Sequence, residues 1–278
     1  MSHLLCINVD AVANQKYQDS VNAIKNAGFD ACFTCWSSNR ESYAQLVQAV
    51  QESGLIHQSI HGPFGRNLYS LWEEQEEGDA DLQMLLDCLE DCQRSDVPIM
   101  VVHPSIGMDR HTPTPFGLER FGRLVKAAEG SGVKLAFENV EGMEYLEALM
   151  NAFGNSPAVG FCWDTGHERC YNYSLDMMAK YGDHLIATHL NDNLGMTDPN
   201  VVTWHDDSHL MPFDGTADWE GIAARLDRHG YQGILTFELT NQSKPNRNTH
   251  DIYQHLDVNG FYKLAYEKAC RVASLLKN

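Results

Sequence analysis

Six short apolar runs in this chain stop on an ionisable side chain: His61, His103, Glu138, Asp164, His189 and Glu238. Runs of this length, rich in β-branched and aromatic residues, read as buried strands. A charged group inside such a strand is costly unless paired, so each run delivers its polar residue where the strand leaves the core. A fold that brings six such ends together is a ring of parallel strands.

The residues just before those ends support this. Two positions earlier, on the same strand face, stand Ser59, Val101, Ala136, Cys162, Ala187 and Thr236, all small or medium. Between them stand Ile60, Val102, Phe137, Trp163, Thr188 and Phe237, mostly bulky. The polar ends therefore share a face with a narrow lumen, and the bulky face packs outward on helices.

The intervening segments supply those helices. Helical spacing marks residues 15–26, 41–52, 80–94, 116–130, 143–153, 174–181, 219–228 and 258–276, with Gly28 and Gly54 as stops. Strands are expected at 4–9, 31–35, 55–60, 98–102, 133–137, 158–163, 184–188 and 233–237, an acidic loop at 64–78 and a long loop at 191–216. Eight strand–helix units in 278 residues fit an α/β fold, a single-domain (β/α)8 TIM barrel over residues 1–278. Catalytic groups of such barrels lie at the C-terminal strand ends, where all six polar residues fall.

The formal charge is 20 − 38 = −18, which disfavours nucleic acid and anionic membranes. No run approaches the ~20 apolar residues of a membrane span, and residues 1–6 have no basic or long apolar leader; a cytoplasmic protein with reduced cysteines is expected. Cys32 and Cys35 are spaced C-x-x-C, but on a strand they face opposite ways and read as buried small hydrophobes. Strand ends without Lys argue against a Schiff-base aldolase, and no nucleotide-binding Gly loop or nucleophile elbow occurs.

Glu138, Asp164, His189 and Glu238 offer three carboxylates and an imidazole from adjacent strands, a donor set for one divalent ion such as Mn, Co, Mg or Zn. Three carboxylates with one such ion leave about −1, which suits a neutral substrate. Glu138 and Glu238, three strands apart, approach a central substrate from different sides. One removes a proton beside a carbonyl and the other returns it, through a metal-bound enediolate. A second layer, His61, His103, His167, Asp207 and His209, is placed to bind substrate or further metal. Trp36, Trp204 and Phe213 are candidates for an apolar wall; Lys244, Arg247, Arg66 and Arg169 are candidates for a phosphate contact.

At these residues the chain resembles the xylose isomerase-like TIM barrels, the sugar phosphate isomerase/epimerase superfamily that also contains endonuclease IV. The carriers are His61-Gly62-Pro63, His103-Pro104, Phe137-Glu138-Asn139, Trp163 to His167, His189 to Asp192, Asp207-Ser208-His209, Pro212 to Trp219 and Phe237-Glu238. Each is weak alone; their order and spacing span nearly the whole chain. The resemblance implies a divalent-metal-dependent sugar or sugar phosphate isomerase or epimerase. Glu138, Asp164, His189 and Glu238 would hold one ion (Fe joins the candidates), the two Glu would act as acid and base, and His167 would contact substrate. It implies a small carbohydrate as partner, and dimers or tetramers. The endonuclease IV branch implies instead nine ligands for three zinc ions, and all nine types have candidates here: His61, His103, Glu138, Asp164, His167, His189, Asp207, His209 and Glu238. The basic surface that DNA demands is missing. A metal-dependent lyase or dehydratase of the same superfamily shares the enolate chemistry.

Overall fold

Strand and helix alternate from end to end of the chain in this computed structural model, which describes residues 3–64, 68–108 and 112–277. The strands are β1 (Leu5–Asn8), β2 (Ala31–Cys35), β3 (Ile56–His61), β4 (Ile99–Val102), β5 (Lys134–Glu138), β6 (Val159–Asp164), β7 (Leu185–His189) and β8 (Leu235–Phe237). They pair in parallel in chain order, and β8 returns to pair with β1. The last joint, β7 to β8, closes differently. Leu190 N–H donates to the Thr236 carbonyl at 2.8 Å, Glu238 N–H donates to the Leu190 carbonyl at 3.3 Å, and Thr236 N–H donates to the Thr188 hydroxyl at 3.0 Å. The result is a single-domain (β/α)8 barrel whose final seam is held partly by a side chain.

The two strand faces sort as the sequence pattern predicts. Val101, Ala136, Cys162 and Ala187 form a small cluster of their own in the lumen. Ile60, Val102, Phe137, Trp163 and Phe237 belong to the large core shared with the helices. Phe33 is the departure: it fills the lumen beside Cys6 and Ala31, and its ring stacks on His189 at 4.9 Å.

Around the strands run α1 (Tyr17–Ala27), α2 (Arg40–Ser53), α3 (Glu76–Arg94), α4 (Pro115–Glu129), α5 (Met143–Phe153), α6 (Thr165–Cys170), α7 (Met177–Tyr181), α8 (Trp219–Arg228) and α9 (Val258–Ala273). Asn39, Thr114, Asp218 and Asp257 cap their helices by accepting from the third following N–H. Gly28 and Gly54 end α1 and α2 in the left-handed region, at φ +111° and +70°.

Three segments differ from the sequence reading. The acidic stretch 64–78 is partly helical: a 3₁₀ turn covers Leu68–Trp72, and α3 begins at Glu76. Its acidic first turn complements the positive end of the helix dipole. Gly78 sits inside that helix because a Cβ there would overlap the Arg120 guanidinium, which donates to the carbonyls of Leu71, Glu73 and Gln75 at 3.0, 2.6 and 2.8 Å. The helix expected over 174–181 covers only Met177–Tyr181, and the short α6, unanticipated, fills the space after β6. The loop over 191–216 is pinned: Asp192 and Leu210 exchange two backbone hydrogen bonds, and Asn193 Nδ2 donates to the Asp206 carbonyl at 2.9 Å. Among the described residues no helix is long and apolar enough to cross a membrane.

Candidate metal centre and active site

β5, β6 and β7 end on Glu138, Asp164 and His189, all fully buried. Glu238 follows β8 directly, and its side chain keeps 17% exposure. One donor atom from each of the four lies within 4.8 Å of the others. His189 Nδ1 is 3.2 Å from both Glu138 Oε1 and Glu238 Oε2. Three carboxylates and an imidazole this close, in the dry end of a barrel, match the oxygen-rich donor set of a divalent cation.

Two further groups flank this quartet. On one side His61, His103 and Glu138 converge; on the other, His167, Asp207 and His209. Their tautomers are legible from the backbone. The Nδ1 of His61 lies 2.8 Å from the Gly62 carbonyl, that of His167 3.1 Å from the Asn139 carbonyl, and that of His209 3.2 Å from the Glu238 carbonyl. A carbonyl only accepts, so each Nδ1 carries the proton and each neutral ring presents a bare Nε2. Those lone pairs face other acceptors. His61 Nε2 looks at His103 Nε2 (3.2 Å) and Glu138 Oε2 (3.5 Å), and His167 and His209 Nε2 look at Asp207 Oδ1 (3.5 and 2.9 Å). Glu138 Oε2 and Asp207 Oδ1 are also buried without a hydrogen-bond donor. Acceptors facing acceptors in a dry site require cations between them, either protons or metal. The residues present therefore fit a divalent ion.

The electrostatics describe the same frustration. Burial drives imidazoles and carboxylates toward neutrality, yet the opposite charges win at most of these groups. Against burial, Glu138 and Glu238 hold His189 well above the usual imidazole range, and Asp164 and Asp207 do so for His167. His209 is raised to about 9, again against burial, by Asp207 and Glu238. Glu138 lies well below the carboxylate range despite burial, through His189, His103 and His167, and Glu238 falls to about 2 through His189 and His209. Asp207 is lowered by His209 and His167, again against burial. Two groups follow burial instead: Asp164 rises to about 6, and His103 is lowered. In the absence of a metal ion, protonated imidazoles neutralise the carboxylates.

Buried amides position these side chains. Asp164 caps α6, its Oδ1 accepting from His167 N–H at 2.6 Å, while its Oδ2 accepts from Asn191 Nδ2 at 3.0 Å. Asn139 bridges β5 to β6, accepting from Asp164 N–H and donating to the Asp164 carbonyl, both at 2.8 Å. A Cβ at Gly166 would overlap the Asn191 side-chain oxygen, so this glycine permits the approach. Asp192 accepts from the N–H groups of Phe213 and Ala217 at 2.9 Å and from Trp219 Nε1 at 2.8 Å, fixing the loop that carries Asp207 and His209. His209 sits at φ +47°, a conformation that costs a non-glycine residue on the order of 1–3 kcal/mol and clusters at functional sites. The sequence reading used these amides as family markers and assigned them no role.

Above the metal groups opens a cavity of about 440 Å³. His61, His103, His167, Asp207, His209 and Glu238 form its floor, with Asn8, Asp10 and Cys35 from the ends of β1 and β2. These last three were not anticipated, although Asp10 directly follows the strand-like run 4–9; Asn8 lies within that run, and Cys35 reads as a buried small hydrophobe. Of the candidate wall residues, Trp204 lines the cavity. Trp36 instead donates Nε1 to Asp91 at 2.7 Å, and Phe213 packs on Trp219 at 5.5 Å. Of the candidate phosphate contacts, Lys244 lines the cavity but pairs with Asp207 at 3.3 Å. Arg247 pairs with Asp206 at 3.0 Å and Arg169 donates to Thr216 at 2.6 Å; Arg66 lies outside the described residues. Cys32 joins the outer core while Cys35 faces the cavity, and both are free thiols.

Fold and donor set define a (β/α)8 barrel with a buried His/carboxylate cluster, suited to a divalent cation, at its C-terminal mouth. The sequence model of the xylose isomerase-like TIM barrel family matches residues 21–257, and the chain belongs to that family. Uncharacterized protein y4fM of Sinorhizobium fredii (strain NBRC 101917 / NGR234) is 36% identical over 119 residues, 42% of this chain. That match spans 34% of the relative's own length. The fold is shared with D-psicose 3-epimerase from Clostridium cellulolyticum H10, solved with D-tagatose, at TM-score 0.72 and 16% identity over 100% of both chains. It is shared equally with D-allulose 3-epimerase from Methylomonas sp., solved with D-allulose, at TM-score 0.71 and 17% identity over 99% of this chain and 97% of that one.

Proposed function

We propose that the protein is a metal-dependent isomerase or epimerase of a keto sugar. The observation that carries this reading is the quartet Glu138, Asp164, His189 and Glu238, in which two carboxylates from well-separated strands share one imidazole at 3.2 Å. The four would hold one Mn, Co, Mg, Fe or Zn ion, which supplies Lewis-acid polarisation of a carbonyl. Glu138 and Glu238 do the proton work. One, ionised, would take the proton from the carbon beside the carbonyl, and the other, entering the step protonated, would deliver its proton to the opposite face or to the neighbouring carbon. His167 orients a substrate oxygen from the rim, and the buried floor keeps bulk water from the carbanionic carbon. Sugar 3-epimerases among the structural neighbours support the reading at the level of fold.

The test is exchange in D2O. Metal-loaded protein incubated with D-tagatose, D-psicose or a related ketose should place deuterium next to the carbonyl, read by NMR. No incorporation into any ketose with any of the five metals would remove this reading. A lyase would show the same exchange followed by loss of a leaving group, which product analysis separates.

The two flanking groups favour a second reading, a trinuclear zinc phosphodiesterase like endonuclease IV. Charge opposes it: the chain carries −18, and Lys244 is the one Lys or Arg lining the cavity among the described residues. Elemental analysis of protein purified without chelator or added metal separates the two. About one ion per chain supports the isomerase, whereas about three zinc ions with cleavage of an abasic-site duplex support the hydrolase.

A further inference from the structure

Asp207 has a claim on it from two different cations. Its Oδ1 faces the Nε2 atoms of His167 and His209 at 3.5 and 2.9 Å, and the three together form a metal-competent group. Its Oδ2 accepts from the Lys244 ammonium at 3.3 Å. Asp207 is the one carboxylate among the three, so a single lysine meets the whole negative charge of the group.

That lysine is built into the rim. Its side chain is only 23% exposed, and its ammonium lies 5.5 Å from the centre of the Trp204 ring, within cation–π range. The loop after β8 that carries it is tied down. Arg247 pairs with Asp206 at 3.0 Å and donates to the Thr197 hydroxyl at 3.1 Å, and His250 N–H donates to the Ser243 hydroxyl at 3.0 Å. Two cations of one loop, Lys244 and Arg247, thus meet two adjacent carboxylates of the other, Asp207 and Asp206.

Charge then decides what the rim can hold. In the quartet, three carboxylates and a divalent ion leave about −1. At the rim, one carboxylate, two neutral imidazoles and the same ion leave about +1, and the lysine beside them makes this about +2. Asp207 is buried, and like charges in a poorly solvated site repel strongly. The ammonium would have to leave both Asp207 and the Trp204 ring before an ion settled there.

We propose that Lys244 is the counter-ion of the rim and sets the metal number: by engaging Asp207 it keeps metal out of the His167, Asp207 and His209 group while the quartet fills. The two rim imidazoles then keep Nε2 for a substrate oxygen. This rests on the isomerase reading above and names the residue that separates it from a multi-zinc centre.

Zinc titration of the metal-free chain by calorimetry, with elemental analysis of the product, tests it. Lys244→Met keeps the length of the side chain and drops its charge. It should take up one more zinc ion per chain than the wild type, or bind that ion about tenfold or more tightly. Lys244→Arg, which keeps the charge, should behave as the wild type does. Adding His209→Ala to Lys244→Met should abolish the gain, which assigns the extra ion to the rim; circular dichroism of the metal-free variants checks the fold. Equal or weaker zinc uptake by Lys244→Met, or a gain as large in Lys244→Arg, overturns the inference. So does loss of an ion from the otherwise wild-type chain on His209→Ala, which would show the rim already filled. None of these outcomes touches the isomerase reading, which stands or falls on deuterium exchange. If neither the wild type nor Lys244→Met binds zinc, the metal-centre reading falls as well.

Discussion

The quartet Glu138, Asp164, His189 and Glu238 and the rim group His167, Asp207 and His209 are built from similar residues on unlike supports. Three of the quartet are the last residues of β-strands and the fourth follows one directly, so the hydrogen-bonded ring itself sets their spacing. Of the rim group, one residue rides on the six-residue α6, and two ride on a loop held by Asp192 and bent through a left-handed His209. Strand ends make a rigid site whose geometry depends on the whole barrel. Loop residues make an adjustable one whose geometry depends on a few hydrogen bonds.

The largest expected effect breaks the quartet's chemistry. Glu138→Gln or Glu238→Gln should lower turnover by ~10²–10⁴-fold, with deuterium exchange lost to the same degree; substantial activity in either would rule out the two-carboxylate mechanism. Next comes its support. Asn191→Ala removes the donor to Asp164 Oδ2 and should weaken metal binding about 10–100-fold, read by titration of the apo protein with Mn or Co. Gly166→Ala, which pushes against the same amide, should move affinity in the same direction. The rim should behave differently: Asp207→Asn should leave the quartet ion in place in elemental analysis, and loss of all metal would show that the two groups are one unit.

The smallest effect concerns the barrel outside the site. His57 on β3 has its pKa lowered from 6.5 to about 4 by burial, with Nε2 3.0 Å from the Thr34 hydroxyl. The unfolded chain takes up the proton first as pH falls. Stability is therefore full above pH ~6.5 and declines toward pH ~4. Denaturant titration of His57→Gln should show a shallower loss over that window.

The same contrast explains what was legible in the sequence. A strand end announces itself, because an apolar run that stops on His, Asp or Glu is a strong local signal; β5, β6 and β7 and the ionisable residues that end them followed from it. The alternation of Val101, Ala136, Cys162 and Ala187 with Val102, Phe137, Trp163 and Thr188 gave the lumen its side. Phe33 did not fit that pattern, since β2 ends on no ligand to mark its inward face. Helix α6 was invisible because it is under two turns long and contains Gly166. The roles of Asn139, Asn191 and Asp192 were invisible because their partners are backbone groups and side chains 25–27 residues away. Asp207 and His209 were identifiable as a pair; that they meet His167 depends on a loop with no periodicity to read.

The seam between β7 and β8 has a consequence for motion. It is the joint of the ring where a threonine hydroxyl supplements the backbone ladder, and His189 and Glu238 stand on its two sides. A cation held by both would act as a clasp across the weakest lateral joint. Breathing of the barrel and occupancy of the site are then one equilibrium, and slow amide hydrogen exchange at Thr188, Leu190 and Thr236 becomes a gauge of how firmly the ring is fastened.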